Sequence, residues 1–296
     1  MNHKPLSEGG PSAQFDAMTD RLDVLTALPD RAVIAVTGAD ARTFLQRVIT
    51  RGPEDLPEGG AQLSALLTPQ GKILCEFLIL DDCEDGLFID APASEADGLM
   101  KRFTLYRMRA KAEITRRDDL TVAAAKGDGQ AELRTLALAA APDPRSAALG
   151  LRAIVPAGTP EPDEAAYHAA RIAAGVPEFA ADYGPGEVFS TDVNHDLMDG
   201  IDYKKGCFVG QEVASRMHRK GGVRKRTIQL SFEDAAPPPG AEVKAGETPV
   251  GAITSSAGSS ALALVRVDRL AKGFESGAGV IVSDVEARLV TDLGAV

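Results

Sequence analysis

The sequence predicts a mixed α+β protein that closes in a small β-barrel or sandwich. Three observations carry that expectation. Strand-like and helix-like segments alternate irregularly from Arg31 to Met217. From Thr227 onward the texture changes to short apolar runs separated by turn residues, Pro237-Pro238-Pro239-Gly240 among them. The composition, 44% apolar and 25% charged, is that of an ordinary globular core.

Arg31 to Val36 reads as a strand ended by Thr37-Gly38. Asp40 reads as the N-cap of a helix carrying Phe44, Leu45 and Val48 at helical spacing. Gly71 to Leu80 is a long strand, with Ile73, Cys75, Phe77 and Ile79 on one face and Leu74 and Leu78 on the other. Both faces are therefore expected to be covered. Gly86 and Leu87-Phe88-Ile89 supply a hairpin partner. Ser94 with Asp97 has the form of a capping box, opening a helix that buries Leu99, Met100 and Phe103. Lys111 to Thr115 and Leu120 to Ala124 alternate like strands. Ala139 to Arg145, with Pro142 and Pro144, reads as a connector. Asp163 opens a helix running to about Ala174, with Gly175 as its stop and Pro177 beyond. Val188 to Asp202 has no clear period, and a short helix through Val213 and Met217 follows Gly210. Strands are expected over Thr227–Phe232, Val250–Ser255, Leu262–Val267 and Val280–Val290, with a domain boundary near Arg226.

The 296 residues leave room for two or three domains at roughly 100–200 residues each. A formal net charge of −11 speaks against broad, non-specific nucleic-acid binding. No stretch approaches the roughly 18–20 apolar residues that span a bilayer. Residues 1–22 are read as a flexible extension without the apolar core of a signal peptide. Three scattered cysteines, Cys75, Cys83 and Cys207, suit a reducing compartment, and the cytoplasm is the expected one.

The segment Lys204-Lys205-Gly206-Cys207-Phe208-Val209-Gly210-Gln211-Glu212 draws the chemistry. A thiol reacts as its thiolate, which nearby cations and a helix N-terminus favour. Lys204 and Lys205 supply the cations, and the helix expected after Gly210 supplies the N–H groups. Gly206 and Gly210 allow close approach of a ligand or partner. Gln211 and Glu212 fall in the helix's first turn. Read without these neighbours, a lone cysteine is simply a small buried hydrophobe.

Lys204 to Arg226 holds eight Lys/Arg against one acid, Glu212. Such a cluster suits a polyglutamate tail, an acidic protein partner or RNA, and equally a solvated loop. The lack of interleaved aromatics counts against a single-strand platform. His195 and His218 flank Cys207 at 12 and 11 residues, which is no zinc spacing. Cys207, one His and an external ligand could hold a cluster transiently. Cys75 reads as core, Cys83 sits in an acidic turn, and His168 reads as a packed or exposed helix residue. Gly258-Ser259-Ser260 lacks the lysine of a phosphate loop.

The string KGCFVGQE resembles the signature of the YgfZ family: Lys-Gly-Cys, an aromatic residue, any residue, Gly-Gln-Glu. Arg216, His218 and Gly222 to Arg226 extend the likeness downstream, most strongly toward the group's mitochondrial iron–sulfur assembly branch. Upstream, Arg171, Gly175, Val176 and Pro177 resemble the family's Arg-x-x-x-Gly-Ile-Pro stretch. Gly38 to Thr50, Thr68 to Lys72 and Tyr106 to Ile114 resemble earlier elements.

The resemblance implies a fold like the glycine cleavage T-protein: a three-lobed ring with a C-terminal β-barrel. It implies a folate-binding-type region of two interwoven lobes over residues 23–225 and a barrel over 226–296. It further implies a tetrahydrofolate-linked accessory role in iron–sulfur cluster assembly or repair. Cys207 and Lys205 would be the working residues. Gly206, Phe208, Gly210, Gln211, Glu212 and Arg216 would form the motif loop, and Arg171, Asn194 and Tyr106 the folate positions. Folate and iron–sulfur assembly or client proteins are the implied partners, with no membrane and no specific nucleic acid. The alternative is a folate-dependent aminomethyl or methyl transferase. Against it, Gly71-Lys72-Ile73-Leu74-Cys75-Glu76 replaces one acid of the T-protein's Gly-Gly-Ile-x-Asp-Asp with Cys75. A pterin-binding Glu of that family is here Ala173. Losing its charge-assisted bonds costs on the order of 1.5–3 kcal/mol each, unless Glu178 or Asp182 substitutes.

Overall fold

The computed structural model describes residues 24–82, 86–219 and 223–291. The extension expected over residues 1–22 and the cysteine at position 83 lie outside the described residues. The chain starts in one sheet with β1 (Val24–Ala27), then leaves to build another. β2 (Arg31–Thr37), β3 (Ala61–Leu67), β4 (Ile73–Asp81), β5 (Gly86–Pro92) and β6 (Glu113–Arg116) form a five-stranded sheet in the order β3-β4-β5-β2-β6. The chain then returns with β7 (Leu120–Lys126), β8 (Ala139–Pro142) and β9 (Leu151–Pro156), giving the order β1-β7-β9-β8. The first two lobes are thus interwoven.

Double-sided burial explains the continuous apolar runs of β4 and β5. On one face Ile34, Val36, Cys75, Phe77 and Ile79 pack beneath helices α1 (Ala41–Gln46) and α2 (Ala96–Arg107). On the other, Val33, Leu78, Leu80 and Phe88 meet Val122, Ala124 and Ile154 of the four-stranded sheet. Helix α3 (Gly129–Leu136) covers the far side of that sheet with Leu133.

Several sequence expectations need correction. Asp40 makes no side-chain cap for α1; its Oδ2 instead accepts the Lys111 N–H at 2.7 Å. Ser94 does not cap α2, whose N-cap is Glu95, again without a side-chain bond. Ala139 to Pro142 is strand β8 and not a connector, because pairing with β9 overrides the weak strand preference of alanine. By contrast, Asp163 does cap helix α4 (Glu164–Ala173), accepting from the Ala166 N–H at 3.1 Å.

The last lobe is a closed barrel of β10 (Lys225–Ser231), β11 (Glu242–Ala245), β12 (Thr248–Ala257), β13 (Ser260–Arg266), β14 (Val280–Val282) and β15 (Val285–Leu289). The run expected as a single strand over Val280–Val290 is a hairpin. It turns at Ser283 and Asp284, both at positive φ (50° and 66°), as a tight primed turn requires. β11 and the helix between β13 and β14 (Val267–Glu275) were not anticipated. Helix α4 docks on the barrel: Gln229 Nε2 donates to the Ala173 carbonyl at 2.8 Å, and Arg171 Nη2 to Ser255 Oγ at 3.0 Å.

Candidate functional site

The Cys207 loop leads into helix α5 (Gln211–Arg219), the helix expected after Gly210. Two glycines let it touch the turn between β3 and β4. Gly210 has φ +78°, and a Cβ there would lie 2.6 Å from the Thr68 carbonyl oxygen. Across the contact, a Cβ on Gly71 (φ +80°) would lie 2.9 Å from Val213 Cβ. Phe208 is buried with Leu67, Ile73, Phe179, Tyr183 and Ala214. Val209 packs the opposite way, against the core beneath α1 and α2. Cys207 precedes these two anchors and is exposed. Its burial as a small hydrophobe is thereby excluded. Gly206 meets nothing within 4 Å of a Cβ, so no packing inside the fold demands a glycine there.

Lys205 ties the loop to the end of α1. Its ammonium donates to the Gln46 carbonyl and stands 5.0 Å from the Phe208 ring centroid. Burial pushes this lysine down to about 8, against the pull of Asp202 and Glu54. Between that value and the ordinary 10.5, the unfolded chain holds a proton the folded chain has released. Stability should therefore rise with pH across this window. NMR of isotope-labelled lysine should find one ammonium titrating near pH 8, absent in Lys205→Met. A midpoint at the ordinary lysine value would mean Lys205 is solvated. Glu212 and Arg216 form an exposed i,i+4 pair at 2.9 Å, worth a few tenths of a kcal/mol at most (~0.3–0.5). Gln211 Nε2 reaches the Lys205 carbonyl at 3.4 Å and closes the loop on itself.

Two cavities flank this loop at the end of α1. One of about 400 Å³ is lined by Gln46, Arg51, Gln62, Asp202, Lys204 and His218. His218 stacks on Tyr203, with centroids 4.0 Å apart. The other, about 710 Å³, is lined by Arg47, Tyr106, Arg107, Met108, Arg109 and Val209 among others.

The three positions expected to hold folate share no partner among the described residues. Arg171 is buried, and its donors go to His168 Nδ1, Asp182, the Val176 carbonyl and Ser255. Asn194 sits at φ 63°, donates through Nδ2 to the Thr227 carbonyl, and keeps a buried Oδ1 without a partner. Tyr106 lines the larger cavity. Ala173 brings no carboxylate. Glu178 is engaged by Arg145 at 2.6 Å and by the Tyr167 hydroxyl, and Asp182 by Arg171, the Glu178 N–H and Thr254. A pterin held in the T-protein manner therefore lacks its acid, and neither substitute is free for it. The residues present do not fit that mode.

Sequence reasoning missed one buried constellation. Glu76 Oε2 receives the Tyr183 hydroxyl and lies 2.7 Å from His195 Nε2. Burial would raise the Glu76 carboxyl, but the hydrogen bond and charge of His195, with Arg145 and Tyr183, hold it below the usual carboxylate range. The signal was an acid inside the apolar run of β4. Because its ring is fully buried, His195 is withdrawn as an exposed cluster ligand beside Cys207. Among the described residues no three His, Cys, Asp or Glu are grouped to hold a metal ion.

Residues 224–291 match the family model described as the CAF17 C-terminal β-barrel domain. The mitochondrial iron–sulfur cluster assembly factor IBA57 of Homo sapiens is 31% identical over 303 residues, covering 90% of this chain and 83% of that protein. The IBA57 homologues of Neurospora crassa and Pyricularia oryzae are 32% and 34% identical, over 76% and 72% of this chain. The chain spans 58% and 59% of those two relatives, less than two thirds of their length. Among solved structures, the glycine cleavage system aminomethyltransferase T of Bartonella henselae superimposes with a TM-score of 0.71 at 18% identity. That match covers 96% of this chain and 89% of the other, so the two share a fold. The relatives are named as mitochondrial, which overturns the cytoplasmic expectation. Cysteine usage separates reducing from oxidising compartments and does not choose among reducing ones.

Proposed function

The chain belongs to the family of the IBA57 iron–sulfur cluster assembly factors, and from that premise we propose that it is a maturation factor acting through Cys207. The observation that carries the reading is an exposed thiol on a loop whose neighbours are pinned. Phe208, Gly210 and Lys205 fix the backbone on three sides, while the sulfur faces out. A rigid, accessible soft donor suits brief contact with a cluster or a persulfide in transit between proteins. Gly206 leaves room for a partner's backbone. Assembly or client proteins are the implied partners. Among the described residues no helix is long and apolar enough to cross a membrane.

Folate is the finer part of this reading and has no step in it. The shared fold and the free Asn194 Oδ1 support a ligand of that class, while Ala173 and the engaged Glu178 and Asp182 weaken it. Aminomethyl transfer is not favoured, because Cys75 is buried in the core and Glu76 is locked by His195 and Tyr183.

The test is complementation. Cells lacking their own factor of this family, supplied with this chain, should regain the activity of their iron–sulfur enzymes. Failure at normal abundance and correct compartment would remove the reading.

A further inference from the structure

We propose that the larger cavity beside the Cys207 loop is a docking site for an acidic segment of a partner protein. Its walls carry three guanidinium groups in a chain of net charge −11. Arg47 and Arg109 are exposed and have no ion pair among the described residues. Arg107 spends one nitrogen on the Ala112 carbonyl at 2.8 Å. Asp40, the acid of the lining, accepts the Lys111 N–H through Oδ2. Cations without counter-ions around a concave surface attract carboxylates and select against neutral partners.

Apolar exposure points to a macromolecule. Met108 is 85% exposed and Leu105 72%, at the C-terminal end of α2. Met108 also has φ 49° and ψ −103°, a backbone conformation that strains an L-residue. A fold that holds a flexible apolar side chain in solvent at such a cost is presenting it. A small anion would neutralise the arginines and leave Leu105 and Met108 bare. A protein segment of interspersed acids and apolar residues meets both.

The site is continuous with the Cys207 loop through two contacts. Val209 lines the cavity, and Lys205 holds the Gln46 carbonyl, whose peptide leads into Arg47. An occupant therefore touches the segment that carries the thiol. This part rests on the reading of Cys207 as the working residue; the docking itself does not.

The probe is a fluorescein-labelled peptide of interspersed Glu and Leu, titrated with the whole chain and followed by anisotropy. Wild type should bind, and binding should weaken as salt rises. Arg47→Glu with Arg109→Glu should weaken it roughly tenfold or more. Arg116→Glu with Arg117→Glu, whose arginines neighbour Asp97, Asp118 and Asp119 at the other end of α2, should stay within about twofold. Met108→Glu should also weaken binding, and serves if the double reversal does not fold. Absence of binding by wild type, equal loss in the control pair, or equal binding of an all-Glu peptide would overturn the proposal. So would a dimer seen by sedimentation that the double reversal dissolves, since the occupant would then be a second copy. Cys207→Ser should bind the peptide like wild type, which separates failure of the docking site from failure of the thiol.

Discussion

Cys207→Ser is expected to abolish complementation of iron–sulfur enzyme activity while leaving the fold intact. The side chain is exposed, and the loop is held by Phe208, Val209 and Gly210 rather than by the sulfur. Replacing sulfur with oxygen at such a surface position should change stability by no more than about 0.5 kcal/mol. What the substitution removes is a soft, ionisable donor, since a serine hydroxyl is neither acidic nor soft enough to stand in. Alkylation supplies the control. Iodoacetamide on the native protein should label Cys207 and spare Cys75, which lies in the core and whose thiol burial pushes far up. The Cys207 adduct should be missing from the variant. If Cys207→Ser complements fully at equal abundance, the thiol is not the working group. The KGCFVGQE segment would then be a loop-shaping element built on Phe208 and the Gly71–Gly210 contact.

Where the sequence was legible, a local rule and a tertiary one agreed. Alternation along β4 announced its two buried faces, and Asp163 with Gly175 bracketed α4 to within a residue or two. The helix after Gly210 and the short strands of the barrel were readable for the same reason. Misreadings arose where a distant partner decided. Ala139 to Pro142 has no strand signal of its own and is a strand because β9 lies beside it. Asp40 looks like a cap, yet its carboxylate is claimed by Lys111 across the sheet edge. The motif loop was legible as a string. Its mechanics were not, because Lys205 meets Gln46 and Gly210 meets Thr68 only after folding. The arginine-lined cavity followed the same course: Tyr106 to Ile114 resembled the family's middle strand, whereas Tyr106 and Arg107 end α2 and β6 begins at Glu113, and nothing in the stretch marked Met108 as strained and exposed.

Buried ion pairs carry the other large effect. Asp90→Ala is expected to destabilise the fold by about 3–5 kcal/mol, a large part of the roughly 5–15 kcal/mol that holds a typical domain. Asp90 is fully buried at the seam between the two sheets. It accepts from Arg31 Nε at 2.6 Å and from Arg152 Nε at 2.7 Å. Arg152 already has Nη1 and Nη2 buried without hydrogen-bond partners, so losing Asp90 would leave it with no ion pair among the described residues. Burial alone would raise the Asp90 carboxyl; the guanidinium groups of Arg152 and Arg31 hold it below the usual range. The sign follows from that depression. The contribution is complete above the ordinary carboxylate value of 3.8 and is lost as pH falls through the lower folded value. Urea unfolding at neutral pH should show a lower midpoint for Asp90→Ala with an unchanged slope, and the variant should lose less further stability in acid than wild type. Arg152→Met makes the opposite comparison. It removes two unsatisfied nitrogens and leaves Asp90 paired with Arg31, so its cost should be well below that of Asp90→Ala. Should Asp90→Ala cost less than about 1 kcal/mol, comparable to an exposed pair, then apolar packing alone holds the seam. The arginines would in that case have found other acceptors or water.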